Sequence, residues 1–339
     1  MIVDDSAIIR KLFSEELSRD PAIEVVGKAP DAFIARDKIV QLEPDVITLD
    51  VEMPRMDGIT FLRRLMRHHP LPVIVVSSLT VEGGELAMEA LEAGAIEVVC
   101  KPGDTSESGV FGRMLIEKIK IAANASVARQ AEHIHPEPIP ATGLSTLSTD
   151  RIIAVGASTG GTQALRQLMS AMPASAPGML IVQHMPELFT QTFADRLNSL
   201  SRMEVKIASD GEQVACGKAL VAPGNVHMLL ERSAGCYRVR LKDGPMVCRQ
   251  KPSVEMLFKS VARCAGENAI GVILTGMGND GAEGMRLMRK SGAATIAQDR
   301  KTCVVYGMPG AAVELGAVDH IESLEDIPAR ILSFLNCET

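Results

Sequence analysis

The chain has 339 residues, 46% of them apolar and 23% charged, with a formal net charge of -7. That length exceeds one ordinary hydrophobic core and fits two domains of common size, in a composition that is globular and neither disordered nor fibrous. The acidic balance leaves no basic footprint for a nucleic acid, and no run approaches the roughly 18 apolar residues of a membrane span.

The opening Met-Ile-Val is followed at once by Asp4 and Asp5, which does not read as a secretory leader. Cysteines at 100, 216, 236, 248, 264, 303 and 337 are scattered, without a short C-x-x-C spacing, and read as reduced thiols. A cytoplasmic protein is therefore expected. Apolar, β-branched runs at 23–27, 46–49, 73–76 and 96–99 read as buried strands, with helical periodicity over 7–19, 32–41, 58–69 and 84–93 between them. Strand and helix in alternation predict a parallel sheet, with ligand sites beyond the carboxyl ends of its strands. A closing amphipathic helix is expected over 109–129, and 131–149, rich in Pro, His, Ser and Thr, reads as a linker. Alternation then resumes, with strands at 152–155, 179–182, 219–222, 270–274 and 294–297 and helices at 162–172, 254–265 and 282–291. The expected domains are thus 1–120, a linker at 121–149 that includes the end of the last helix, and 150–339. Both are α/β: a flavodoxin-like five-stranded parallel sheet, then a Rossmann-like, doubly wound, mainly parallel one. Between 205 and 249 the turn-rich pattern predicts some added antiparallel pairing.

In the first domain Asp4 and Asp5 follow an apolar run and Asp50 follows Val-Ile-Thr-Leu, so three carboxylates should meet at one sheet edge. Like charges at close range call for a cation, and an oxygen-rich pocket with room for waters suits Mg²⁺. Lys101 and the Ser77-Ser78 pair end two further strands with a positive charge and hydroxyl donors. Any one of these residues alone reads as a solvated loop group or a cap; together they describe a phosphorylatable aspartate. Asp-Asp-Ser at 4–6, Asp50-Val-Glu-Met-Pro-Arg-Met-Asp-Gly58, Ser77-Ser78 and Lys101-Pro102 resemble the response-regulator receiver family. The resemblance implies that Asp50 is the phosphoacceptor and that Asp5, Asp50 and the backbone carbonyl of Glu52 hold Mg²⁺, with Asp4 one step outside. It also implies Ser77 and Lys101 as the switch residues. Two departures stand out. Only three residues precede Asp4, so the first strand reads as truncated and the natural start is expected upstream of Met1. Val98 stands where many receivers carry an aromatic switch residue.

In the second domain Arg-Ile-Ile-Ala-Val-Gly-Ala-Ser158-Thr-Gly-Gly-Thr places a serine where a strand turns into a helix, with free N–H groups near its hydroxyl. His184 follows Met-Leu-Ile-Val-Gln at another strand end, and an unperturbed histidine, with a pKa near 6.5, suits a general base. A third strand runs into Thr-Gly-Met-Gly-Asn-Asp280-Gly, which offers a carboxylate to orient the imidazole. A lone serine opening a helix is more often a cap and a lone histidine more often structural; their combination shifts the balance. The competing reading is G-x-G-x-x-G at 276–281, with Asp299 about 20 residues on as a ribose ligand. That nucleotide-binding reading leaves Ser158 and His184 without a role. A second alternative is a non-enzymatic output module that only binds a partner.

Gly156-Ala-Ser-Thr-Gly-Gly161, Gln183-His184-Met and Thr275-Gly-Met-Gly-Asn-Asp280-Gly281, behind a receiver, resemble the chemotaxis protein-glutamate methylesterase family, CheB. The resemblance implies Ser158 as nucleophile, His184 as general base and acid and Asp280 as its orienter, with Thr159 and Met277 at the oxyanion or pocket. It implies hydrolysis of glutamyl methyl esters on methyl-accepting chemoreceptors, with release of methanol, and deamidation of receptor glutamines in some members. A chemotaxis histidine kinase is the implied phosphodonor, Mg²⁺ serves the receiver, and the ester chemistry needs no cofactor. The receiver is expected to cover the catalytic cleft until it is phosphorylated.

Overall fold

The alternating strand and helix signals take shape in the computed structural model of the protein, which describes residues 1–77, 81–101, 108–125 and 151–335. The chain divides into two units, Met1–Glu132 and His133–Thr339. In the first, β1 (Ile2–Val3), α1 (Ala7–Leu17), β2 (Lys28–Ala29), α2 (Ala32–Leu42) and β3 (Ile47–Asp50) are followed by α3 (Gly58–His68), β4 (Val73–Ser77), α4 (Val81–Glu92), β5 (Glu97–Cys100) and α5 (Ser108–Ala123). All five strands are parallel, in the order β2-β1-β3-β4-β5. Because β1 and β3 are neighbours, the acidic residues that end them share one edge. Side-chain caps start the helices locally: Ser6 accepts from the N–H of Ile9, Asp31 from Phe33 and Ile34, and Asp57 from Thr60.

The strand expected at 23–27 does not form. Only Lys28 and Ala29 pair with Ile2 and Val3, because β2 can extend no further than the two-residue β1 beside it. Residues 22–26 instead line a cavity of about 320 Å³ with Leu42, Pro44 and Val46. The last helix is shorter than the expected 109–129: α5 ends at Ala123. Beyond residue 125 the expected linker lies outside the described residues.

The second unit runs β6 (Ile152–Ala157), α6 (Gly161–Ala171), β7 (Gly178–Gln183), α7 (Glu187–Leu200), β8 (Glu204–Ile207), β9 (Lys218–Val221), β10 (His227–Ser233) and β11 (Cys236–Lys242). It continues through α8 (Val254–Cys264), β12 (Ala269–Ile273), α9 (Ala282–Lys290), β13 (Ala294–Gln298), α10 (Met308–Glu314), β14 (His320–Glu322) and α11 (Ile327–Ser333). Seven parallel strands lie in the order β14-β13-β12-β6-β7-β9-β8, and the antiparallel pairing expected after 205 is a separate ribbon, β10–β11. Strands β6, β7 and β12 are buried along their whole length. Side chains alternate across a strand, so burial at every position requires a layer on each face. Ile152, Ala154, Leu180 and Val182 pack with Leu257, Phe258 and Met285 of α8 and α9. Fully or almost fully buried side chains such as Phe189, Phe193 and Phe258 each contribute about 1.5–3 kcal/mol relative to exposure.

Strand β6 decides where a site can form. From it the chain moves to β7 on one side and later returns to β12 on the other. The carboxyl ends of β6, β7 and β12 therefore border the crevice at which strand order reverses, the usual ligand position in such sheets.

Candidate functional site

In the first unit one oxygen each from Asp4, Asp5 and Asp50 lie within 4.8 Å of one another, with Asp4 and Asp50 buried and Asp5 exposed. Lys101, just past β5, reaches both buried carboxylates, its Nζ 3.1 Å from Asp4 Oδ2 and 2.8 Å from Asp50 Oδ2. Burial pushes the Asp50 carboxyl up to about 6 despite the ion pair with Lys101. Burial also works against the Lys101 charge, but the hydrogen bond and charge of Asp50, with those of Asp4, outweigh it and raise the ammonium above its ordinary value. The N–H of Ser6 donates to Asp4 Oδ1 at 2.8 Å, and Arg10 donates to the carbonyls of Asp4 and Asp5, which hold the β1–α1 turn. Ser77 is buried at the end of β4, its carbonyl accepting from the N–H of Lys101 at 2.7 Å. Glu52 follows β3, exposed, with its N–H 3.3 Å from Asp50 Oδ1. Val98 is buried in β5, while Ser78 and Pro102 lie outside the described residues. An all-oxygen donor set with one carboxylate open to water fits Mg²⁺, which keeps several of its waters.

In the second unit the register pairs Ala157 with Gln183 across β6 and β7. Ser158 and His184, the next residue on each strand, therefore leave the sheet side by side. Main-chain bonds tie the three strand ends together: His184 N–H to the Ala157 carbonyl at 3.1 Å and Ser158 N–H to the Thr275 carbonyl at 3.0 Å. Helix α6 starts beyond the serine, with Gly160 at its cap in a left-handed conformation (φ 76°) and no side-chain cap. The Ser158 hydroxyl is thus not spent on the helix end. The loop after β12 presses closely on the serine, since a Cβ at Gly276 would lie 2.7 Å from Ser158 Cβ.

Asp280, in that loop, is 2.9 Å from His184 Nε2 through Oδ2. Its other contacts were not foreseen: Oδ2 accepts from the N–H of Val254 at 2.7 Å, and Oδ1 from Ser253 Oγ at 2.8 Å and the N–H of Glu255 at 3.0 Å. The carboxylate sits on the N-terminus of α8, where unpaired N–H groups and the helix dipole favour negative charge. Burial opposes that charge, but the hydrogen bond and charge of His184, with donation from Ser253 and Glu255, hold the Asp280 carboxyl below the usual carboxylate value. An ionised carboxylate only accepts, so Nε2 carries the imidazole proton. The other nitrogen, Nδ1, is buried and has no hydrogen-bond partner among the described residues.

Gln183, also unforeseen, steadies the strand ends: its Nε2 donates to the carbonyl of Ser158 at 2.9 Å and of His184 at 3.1 Å. The sequence signals were a serine before a helical run, for Ser253, and, for Gln183, a polar residue ending a buried strand within the Gln183-His184-Met motif, to which no role was attached. Thr159 is buried beside the serine, its carbonyl accepting from Thr275 Oγ1 at 3.0 Å, and Met277 is exposed next to Gly276. The nucleotide reading fares poorly. A Cβ at Gly276 would meet Met308 Sδ at 2.4 Å as well as Ser158, Asp280 is committed to His184 and α8, and Asp299 accepts from the N–H and hydroxyl of Thr302 in its own turn.

Residues 153–331 match the CheB methylesterase family, and residues 1–108 match the response regulator receiver domain. The protein-glutamate methylesterase/protein-glutamine glutaminase 2 of Syntrophus aciditrophicus is 55% identical over 334 residues, covering 98% of this chain and 97% of that one. The protein-glutamate methylesterase/protein-glutamine glutaminase 4 of Anaeromyxobacter dehalogenans is 56% identical over 332 residues, covering 98% and 93%. The crystal structure of the Thermotoga maritima CheB methylesterase catalytic domain is similar with a TM-score of 0.54 and 35% identity, covering 55% of this chain and 98% of its own.

Proposed function

The chain belongs to the CheB methylesterase family, and on that premise we propose that it hydrolyses glutamyl methyl esters on methyl-accepting chemoreceptors, releasing methanol, under control of phosphorylation at Asp50. The relatives' names add a glutaminase activity. Deamidation of a receptor glutamine is the same acyl transfer, with ammonia leaving in place of methanol.

The observation that carries this reading is the His184–Asp280 pair, which leaves Nδ1 as the imidazole nitrogen free to act on the strand beside Ser158. Nδ1 takes the hydroxyl proton as Ser158 Oγ attacks the ester carbonyl carbon. Main-chain N–H groups at Thr159 and Met277 meet the developing oxyanion. Collapse breaks the bond to the methoxy oxygen, which receives the proton from the imidazolium and leaves as methanol. Water, deprotonated by the same nitrogen, then attacks the acyl-enzyme and releases the glutamate carboxylate and free Ser158. Asp280 stays ionised and stabilises the imidazolium throughout.

In the receiver, the Asp50 carboxylate accepts a phosphoryl group from a chemotaxis histidine kinase. Asp5, Asp50 and the Glu52 carbonyl would hold Mg²⁺, with Asp4 just outside, and the cation would offset the negative charge gathered there. Lys101 and Ser77 contact the phosphoryl oxygens once Asp50 is modified. A fluorophosphonate probe tests the nucleophile: mass spectrometry is expected to find the adduct on Ser158, strongly reduced in His184→Ala. Labelling at another residue, or labelling indifferent to His184, counts against the reading.

A further inference from the structure

The β10–β11 ribbon stands outside the seven-stranded sheet, yet it is tied to Asp280. His227, the first residue of β10, is buried; its Nδ1 is 3.2 Å from the N–H of Ser253 and its Nε2 is 2.9 Å from the carbonyl oxygen of Pro245. These partners settle the tautomer. A main-chain N–H only donates and a carbonyl only accepts, so the His227 proton sits on Nε2. Ser253, fully buried, in turn donates its hydroxyl to Asp280 Oδ1 at 2.8 Å. With Val254 and Glu255 N–H and His184 Nε2, four N–H and O–H donors surround one carboxylate, and the Cys248 thiol lies in hydrogen-bonding reach of it as well. Two carboxylate oxygens offer about four acceptor positions, so a donor set of this size favours the ionised carboxylate.

We propose that His227 and Ser253 are positioning residues of the esterase: His227 sets Ser253, Ser253 and the start of α8 set the Asp280 carboxylate, and the carboxylate sets His184 with its proton on Nε2. The proposal rests on the reading of Ser158 and His184 as the catalytic pair. It gives the ribbon a role in the chemistry that its place outside the sheet does not suggest, and it makes the β10 end of the ribbon part of the support for the base.

The test uses the full chain and a receptor fragment carrying radiolabelled methyl esters. Losing a hydrogen bond to a charged group in Ser253→Ala is expected to lower kcat by about ten- to a hundredfold while KM stays within about twofold. Ser253→Thr keeps the hydroxyl and is expected to recover most of that loss. At position 227 substitutions separate the two bonds: Asn keeps an acceptor where Nδ1 stood, and Gln keeps a donor where Nε2 stood. His227→Asn is therefore expected to exceed His227→Gln in kcat by about tenfold. The ¹⁵N resonances of the His184 ring supply a readout that a purely structural role would not move. Wild type is expected to show a protonated Nε2 and a bare Nδ1, and Ser253→Ala a mixture of tautomers. Wild-type kcat in Ser253→Ala, a loss confined to KM, an unchanged ¹⁵N pattern, or equal kcat in the two His227 variants overturns the proposal. Should Ser253→Ala fail to fold, the His227 pair decides. Full activity in Ser158→Ala would instead overturn the underlying catalytic reading, so the two failures are distinguishable.

Discussion

Asp280 holds His184 by Nε2, at 2.9 Å, and the other ring nitrogen, Nδ1, is buried without a hydrogen-bond partner among the described residues. In the serine-protease template the carboxylate holds Nδ1 and Nε2 serves the hydroxyl. The reversal costs the chemistry nothing, since either neutral tautomer has one donor and one acceptor nitrogen. What matters is that the acceptor nitrogen is the one without a protein partner, and Asp280 sees to that.

Asp280→Asn is expected to disrupt both roles of the carboxylate. An amide NH₂ would face donors that now have no acceptor, and the tautomer of His184 would no longer be set. The expected result is a kcat lower by about 10³- to 10⁴-fold and a folding stability lower by about 1–3 kcal/mol, read by methanol release and by denaturant unfolding. A variant within tenfold of wild type would remove Asp280 from the account.

Gly276→Ala tests the close approach of the β12 loop to Ser158. The added methyl would sit 2.7 Å from Ser158 Cβ and 2.4 Å from Met308 Sδ, so the serine or the loop must shift. A displacement near 1 Å at a reacting atom costs on the order of a hundredfold in rate. The loss should appear in kcat with the circular dichroism spectrum unchanged; an unaffected rate would mean that the loop does not constrain Ser158.

Much of the two sites was legible because their residues end buried strands: Asp50 in the first unit, and Ser158 and His184 in the second, each follow an apolar run, and each parallel sheet gathers its own strand ends at one edge. Ser253 and His227 were not legible. One looks like an ordinary helix cap, the other like any buried histidine, and their link to Asp280 spans pairings that no local pattern carries. The strand expected at 23–27 failed for a related reason, since β propensity cannot say whether a partner strand extends beside it. In helix α7 Phe189, Phe193, Ala194 and Leu197 recur at helical spacing, so its buried face is readable from the sequence. The short β14 and α11 offered too few turns of pattern to stand out.

The receiver pocket makes a pH prediction. The Asp50 carboxyl holds its proton up to about pH 6 in the folded, metal-free state and only to about pH 4 in an unfolded chain. The folded state therefore binds more protons in that window, and metal-free stability should fall by on the order of 3 kcal/mol as pH rises from 4 to 6. Mg²⁺ needs the ionised carboxylate, so its affinity should drop by up to about tenfold per pH unit below 6 and level off above. Calorimetric titration from pH 5 to 7.5 checks this. Equal affinity across the range, or the same profile in Asp50→Asn, would argue against Asp50 as a ligand.

Removing residues 1–140 should raise esterase activity without a phosphodonor if the unphosphorylated receiver restrains the second unit. Steady-state methanol release from the truncated and full-length proteins decides it. An unchanged rate would mean that the receiver does not restrain the second unit, and a lower rate that it activates it.

Control by Asp50 of an ester hydrolysis at Ser158 is decided by methanol release from a methyl-esterified chemoreceptor, measured with and without a small-molecule phosphodonor and Mg²⁺, for wild type, Asp50→Asn and Ser158→Ala. Phosphodonor and Mg²⁺ together are expected to stimulate wild type but not Asp50→Asn, and Ser158→Ala is expected to release no methanol under any condition. Release by Ser158→Ala at the wild-type rate, or stimulation that survives in Asp50→Asn, would contradict it.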